Sequence, residues 1–247
     1  MSNLIVGASS GLGREIAYEF ARNSKNLILI SRNLKDLEIL KSDLEIKFKI
    51  EVNVFQLDFS DLNKVSKFIL DNKKVLEKID GVLFPIGMMR ENDNIKNSND
   101  DLIGIFSANF YSINFFITHI LNIFEEKKNG FIVGFGSISG AIGREINVSY
   151  SSAKRALENY FESLIISNLK NHIKVQFYIL GYLDTNLSFE KKLLLPKGSP
   201  VNLAKIVYKN LDKKGIKKFF PFWWIFIDMA IKILPFFITK KIIKFFN

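Results

Sequence analysis

Short apolar runs alternate along the chain with longer stretches in which apolar positions recur every three to four residues. The runs are residues 4–6, 27–30, 51–57, 81–84, 131–135 and 175–180. Each has the length of a strand, and their nearly continuous apolar character suits strands covered on both faces. The intervening stretches, 13–22, 34–48, 62–70, 101–127 and 149–169, carry the period of amphipathic helices. Strand and helix alternating in this way predict right-handed crossovers and a parallel sheet with helices on both sides. The expected fold class is therefore α/β, a Rossmann-like doubly wound parallel sheet. No repeat or low-complexity linker interrupts the pattern, so residues 1–215 read as one domain.

The pattern changes after about Lys214, where "KKFFPFWWIFIDMAIKILPFF" covers residues 217–237. Residues 216–247 read as a hydrophobic, basic helical appendage, packed on the domain or continuous with it. The uncharged stretch 219–227 is nine residues long, and a bilayer span needs about 20. Asp228, Lys232 and Pro235 interrupt anything longer. Pro221 suits the start of one helix, and Pro235 its end and the start of a second. On the first helix Asp228 and Lys232 are expected to share a face, with Trp223, Trp224, Phe226 and Ile227 covering much of the rest. On the second, Lys240, Lys241 and Lys244 fall on one side and Ile238, Ile242 and Phe245 on the other. Such helices lie in a membrane interface, with lysines toward anionic headgroups, so peripheral membrane contact is expected through 219–246. The competing use is a homodimer interface or a cap over an active site, although dimer cores tend to be poor in lysine.

Charge sharpens this picture. The 247-residue chain carries a net charge of +10; from Lys205 onward ten lysines and two aspartates contribute +8, leaving +2 for everything before. A nucleic-acid footprint would be spread over the fold, so no nucleic-acid partner is expected. The chain has no cysteine, which excludes disulfides, thiolate zinc sites and cysteine nucleophiles, and fits a reducing, cytoplasmic setting. With His119 and His172 as its two histidines, no metal site is expected. No signal peptide is read at the start, where the chain runs directly into "NLIVGASS". The expected location is cytoplasmic, on the inner face of the membrane.

Candidate chemistry sits at the strand ends. "VGASSGLGREIA" places Gly7, Gly11 and Gly13 between the first strand and the first helix, where glycines permit a tight turn, close approach to a pyrophosphate and close helix packing. Ser9, Ser10 and Leu12 belong to the same phosphate-binding turn. At the end of the second strand an acidic residue would bind the ribose hydroxyl of NAD. Ser31 and Arg32 stand there instead, and a guanidinium suits the 2′-phosphate of NADP, so NADPH is expected over NADH. Asp58 ends the third strand and is a candidate for the adenine amine or for the cap of the next helix, a role for which Ser60 competes. "SYSSAK" sets Tyr150 and Lys154 one turn apart on a helix face, where an ammonium is expected to lower the phenol's pKa. Ser137 lies just beyond the strand that precedes them.

These residues together resemble the short-chain dehydrogenases/reductases, from about Leu4 to Thr185 and beyond. The resemblance implies an oxidoreductase acting on a CH–OH or C=O group. It makes Tyr150 the general acid in ketone reduction, with Ser137 bonding the substrate oxygen. Lys154 would hold the nicotinamide ribose and Asn109, in "FSANFYS", would place a water in a proton relay. Gly87 is implied in close approach to the cofactor, Thr185 at the nicotinamide amide, and the protein as a dimer or tetramer. Val6 departs from the family's threonine, "FPIG" (84–87) from its Asn-Asn-Ala-Gly, and Leu180 from its proline. "IDGVLFPIGMM" and the C-terminal segment are similar in layout to reductases of decaprenylphosphoryl-keto-ribose. The expected substrate is thus a lipid-linked or lipophilic ketone, with a polyprenyl-phosphate keto-sugar first. A 3-ketoacyl or keto-sphingoid lipid is the alternative, and a non-catalytic NADP-binding scaffold the alternative of another class.

Overall fold

The computed structural model describes residues 2–167, 172–185 and 196–246, with side chains to Lys241. β1 (Ser2–Val6), α1 (Gly11–Arg22), β2 (Asn26–Ser31), α2 (Leu34–Phe48) and β3 (Val52–Gln56) form the first half of the sheet. α3 (Leu62–Asp71) and a single turn, α4 (Lys73–Leu76), lead back across it to β4 (Ile79–Phe84). A long helix follows in three parts: α5 (Asn99–Phe106), a π-helical segment (Ser107–Tyr111) and α6 (Ser112–Lys127). Next come β5 (Gly130–Ser137), a 3₁₀ turn (Ile138–Ala141), α7 (Val148–Ile166) and β6 (Ile173–Leu180). α8 (Pro200–Lys209), β7 (Ile216–Phe220), α9 (Trp224–Ile233) and α10 (Phe236–Phe246) complete the chain.

The seven strands pair in the order β3-β2-β1-β4-β5-β6-β7, every pair parallel. The doubly wound sheet expected from the pattern is therefore present. Each face is sealed by its own apolar layer. Phe84, Phe116, Phe161 and Phe177 lie on the side of α3, α6 and α7, while Ile5, Ile16, Phe20 and Leu83 lie on the side of α1, α2 and α8. The strand order reverses between β1 and β4, and the loops leaving these strands part to open a crevice at their C-terminal ends.

Ahead of the C-terminal helices the structure departs from the sequence reading in three places. Residues 216–220, assigned to the appendage, form the seventh strand of the sheet, so the division at 215/216 falls ahead of a core element. Two adjacent lysines masked it; Lys217 is neutralised by Glu158, at 2.8 Å, and Glu162 on α7. α8 lies where no helix was expected. Asp61, and neither Asp58 nor Ser60, caps α3 by accepting from the Lys64 N–H, while Asp58 Oδ1 accepts from the Ser60 backbone and hydroxyl. The expected helix over 149–169 reaches Ile166, and its final residues lie outside the described ones.

The two C-terminal helices fall where the prolines placed them, but α9 is turned the other way. Its inner face carries buried Trp224 and Asp228, the acid paired with Lys232 at 2.7 Å. Ile225, Phe226, Met229 and Ile233 face outward, with Phe236 and Phe237 of α10. Trp224 sets the orientation: a Cβ on Gly181 would stand 1.7 Å from its Nε1, so only glycine there lets the indole reach the end of β6. Among the described residues no helix is long and apolar enough to cross a membrane.

Candidate active site

A cleft of about 640 Å³ runs along the C-terminal edge of the sheet. At one end it is lined by Ser9, Ser10, Gly11 and Leu12 of the β1–α1 turn, and by Ser31 and Arg32 beyond β2. Gly7 has φ +85°, the conformation that turns the chain away from β1, and a Cβ on Gly13 would stand 2.1 Å from the Gly7 carbonyl oxygen. The three expected glycines thus do the work of a turn, a cradle wall and a close packing contact. The first turn of α1 carries no acidic side chain and the Ser10 hydroxyl makes no bond to the helix, so the amino-terminal N–H groups are open to an anion. This end fits the pyrophosphate of a dinucleotide. Asp36, not anticipated from sequence, also lines it, its carboxylate accepting from the Asn33 amide at 2.7 Å. Leu57 lines the cleft; Asp58, expected at the adenine, is not among the lining residues.

The other end holds the predicted chemical group. Ser137, Tyr150 and Lys154 all line the cleft together with Gly87 and Thr185. Ser139 donates to the Ser137 hydroxyl oxygen from its backbone N–H at 3.2 Å and its own hydroxyl at 2.7 Å, which leaves the Ser137 proton for the Tyr150 phenol. Lys154 is buried, and its Nζ donates to the carbonyls of Ile86 and Phe135, each at 3.0 Å, 5.9 Å from the centre of the Tyr150 ring. The expectation that Lys154 lowers the phenol's pKa is not met. Burial pushes Tyr150 above its ordinary value, with the Ser137 bond acting against it. Burial also pulls Lys154 down to about 7, which weakens the charge it can offer.

Asn109 lies inside the π-helical segment and is fully buried. Its Nδ2 donates to the carbonyls of Met88 and Ile105 at 2.8 Å each, and its Oδ1 accepts from the Met88 N–H at 3.2 Å. The carboxamide therefore clamps the loop after β4 against the helix, and the local widening of the helix makes room for it. Gly87 lies against this carboxamide, an added Cβ there standing 3.8 Å from Oδ1, but Asn109 itself is not among the residues that line the cleft with Ser137, Tyr150 and Lys154.

Two further residues shape this end without a sequence motif of their own. Asp93 is buried in the loop after β4, and its carboxylate accepts from the backbone N–H groups of Ser149 at 2.9 Å and Tyr150 at 2.8 Å, and from Asn97 Nδ2 at 2.6 Å. It thus holds the start of the helix that carries the phenol. No local signal links positions 56 and 57 residues apart. Arg144 also lines the cleft; its place in the sequence between Ser137 and Tyr150 was the available clue.

A paired serine and tyrosine beside a dinucleotide cradle define an oxidoreductase built on a doubly wound sheet. The family model described as "short chain dehydrogenase" matches residues 3–193, and the chain belongs to that family. It is 30% identical over 230 residues to hydroxysteroid 11-beta-dehydrogenase 1-like protein B of Xenopus laevis, covering 90% of this chain and 78% of that one. It is 25% identical over 228 residues to a very-long-chain 3-oxoacyl-CoA reductase of Vanderwaltozyma polyspora, covering 85% of this chain and 63% of that one. Its fold matches a short-chain dehydrogenase from Sphingobium yanoikuyae, solved in complex with NADPH, with a TM-score of 0.81 at 18% identity over 94% of both chains.

Proposed function

We propose that the protein uses NADPH to reduce a ketone to a secondary alcohol, on a lipophilic or lipid-linked substrate met at a membrane surface. The observation that carries the reading is the Tyr150 phenol lining the cleft and bonded to Ser137, with burial pushing its pKa above the ordinary value. A general acid must hold its proton until charge develops on the substrate oxygen, and Tyr150 does so throughout the neutral range. When bound, the dinucleotide supplies the hydride. Ser137 and Tyr150 would meet the carbonyl oxygen and Lys154 would hold the ribose, while Asn109 keeps the loop with Gly87 in place. Tyr150→Phe is expected to lower the ketone-dependent oxidation of NADPH by a factor of about 10² to 10⁴. Activity that survives this change overturns the mechanism.

Arg32 supports NADPH, since it lines the cleft just beyond β2 and pairs with no carboxylate among the described residues, so it could receive a 2′-phosphate. Asp36 at the same end opposes it. The ratio of kcat/KM for NADPH over NADH decides between them; Arg32→Gln is expected to lower it, and a wild-type preference for NADH overturns the assignment.

The outer face of α9 and α10 supports a membrane-side substrate. Ile233 is 76% exposed, Phe236 72% and Phe226 64%, with Phe222 just before α9 at 74%, a concentration of exposed large apolar side chains within sixteen residues. Lys218, Lys240 and Lys241, in the same C-terminal segment, are exposed and without ion-pair partners among the described residues. On the inner side Trp224 packs on Gly181, the residue that follows β6 at the cleft, so the lipid-facing helix touches the substrate end directly. A polyprenyl-phosphate keto-sugar is the first substrate of this kind, at the inner face of the membrane. The similarity to a 3-oxoacyl-CoA reductase supports a 3-ketoacyl lipid as the second.

Since β7 belongs to the sheet, removing the whole tail would damage the fold. Surface substitutions give the cleaner test. Ile233→Glu with Phe237→Glu is expected to abolish co-sedimentation with phosphatidylglycerol vesicles. Undiminished binding defeats the membrane reading, and a change of oligomer size instead assigns the face to a second copy of the chain.

A further inference from the structure

We propose that Arg144 is the anion anchor of the substrate half of the cleft, and that the ketone reduced here carries a phosphate or carboxylate close to its carbonyl. The proposal rests on the carbonyl-reductase reading above and names the substrate class within it. Arg144 lies six residues before Tyr150, in the segment between the 3₁₀ turn and α7, and it lines the same cleft as Ser137 and Tyr150. It is half-buried, and it makes no hydrogen bond or ion pair with any described residue. Arg14 and Arg90 differ on this point, Arg14 donating to the Ser9 carbonyl at 2.9 Å and Arg90 pairing with Asp101 at 3.3 Å, while Arg32, also without a carboxylate partner, stands at the opposite, β2 end of the cleft. A partly desolvated guanidinium with five donors and no partner is a prepared receptor for a planar or tetrahedral oxyanion.

The cofactor does not account for it. In the sheet order β2-β1-β4-β5, Arg32 follows β2, the α1 amino terminus follows β1, and Arg144 lies beyond β5. At a strand spacing of about 4.8 Å, the end of β5, from which the Arg144 segment leaves, is set off by roughly 14 Å from the end of β2 and by roughly 10 Å from the end of β1. Both anions of the dinucleotide already have their own cationic or N–H partners. A charge at Arg144 therefore belongs to whatever occupies the space above Tyr150. The walls there are apolar, including Met89, Ile138, Ile146 and Leu183. The ligand combines a hydrophobic body with one anionic group, the chemistry shared by a sugar phosphate on a lipid carrier and by a 3-oxo acid.

Matched ketones test this. Dihydroxyacetone phosphate is compared with dihydroxyacetone, and acetoacetate with its ethyl ester, in NADPH oxidation by the wild type, Arg144→Gln and Arg144→Lys. The wild type is expected to favour an anionic member. The phosphate pair against the carboxylate pair identifies which anion is read. Arg144→Gln is expected to lower that preference by about 10- to 100-fold, the size of a lost charge-assisted hydrogen bond, mainly through KM. Arg144→Lys is expected to keep part of it, as a point charge without the fork. Turnover with no anion preference, or a preference unchanged in Arg144→Gln, overturns the proposal while leaving the reductase reading intact. Calorimetric titration of the NADP⁺-loaded protein with the same pairs reads the contact without turnover. Phosphate- or carboxylate-dependent binding that Arg144→Gln removes, in a protein that reduces no ketone, keeps the anchor and defeats the reductase reading. Binding of neither anion in that assay overturns the anchor itself.

Discussion

Helices α7 and α9 belong to the same shell of the molecule and treat water in opposite ways. α7 turns Ala153, Leu157, Phe161 and Leu164 into the core, and buries charge only where a partner waits. Lys154 meets two carbonyls, and Glu158 meets Lys217. α9 buries an acid and a tryptophan whose Nε1 has no hydrogen-bond partner, and shows Phe226, Met229 and Ile233 to solvent. The pattern of α7 is satisfied by the chain's own fold. That of α9 is not satisfied by any contact among the described residues, and the membrane-side reading proposed above would supply the missing half of its environment.

The contrast can be broken most directly by truncating one phenylalanine on each helix. Phe161→Ala, which empties a fully buried site, is expected to destabilise the protein by about 3–5 kcal/mol in urea unfolding. Phe226→Ala on the outer face of α9 is expected to change stability by no more than about 0.5 kcal/mol. Equal losses would mean that α9 is part of the protein's own core and needs no partner.

A smaller effect concerns the start of α7. Asp93→Ala leaves two backbone N–H groups without their acceptor and is expected to cost about 1–3 kcal/mol. Because those groups belong to Ser149 and Tyr150, kcat for ketone reduction should fall while the KM for coenzyme holds. Asp93→Asn, which keeps one acceptor oxygen, should recover most of both. A drop in stability with kcat intact would make Asp93 a structural cap and nothing more.

The remaining effect is a slope. Lys154 titrates at about 7 in the folded protein and near 10.5 when unfolded, so between these values the unfolded chain binds more protons. Stability should therefore rise with pH across that window, by up to about 1.4 kcal/mol per unit. Lys154→Met removes the ionising group, and its unfolding free energy should lack this rise. Parallel curves for the two proteins at pH 7, 8 and 9 would show that burial does not perturb Lys154.

Much of this architecture was legible from spacing alone. Six of the seven strands announced themselves as apolar runs because a parallel sheet covered on both faces admits little else. The glycine turn and the Ser137, Tyr150 and Lys154 set were readable because chemistry at a strand end or along one helix turn is a matter of short separations. β7 escaped because Lys217 and Lys218 look solvated until Glu158 and Glu162 are brought beside one of them.

Local order along the chain determined the alternation of strands and helices, the glycine cradle at α1, and the proline-bounded helices at the end. Each depends on backbone preferences and periodicity within a few residues of itself. The tertiary structure decided which way α9 faces, whether the phenol is held protonated, which carboxylate caps α7, and that Arg144 shares a cleft with Tyr150. Those depend on burial and on partners distant in sequence: Trp224 against Gly181, Asp93 against Ser149, and low-dielectric surroundings against the charge on Lys154. Desolvation and packing act through space, and a string of residues carries them only after it has folded.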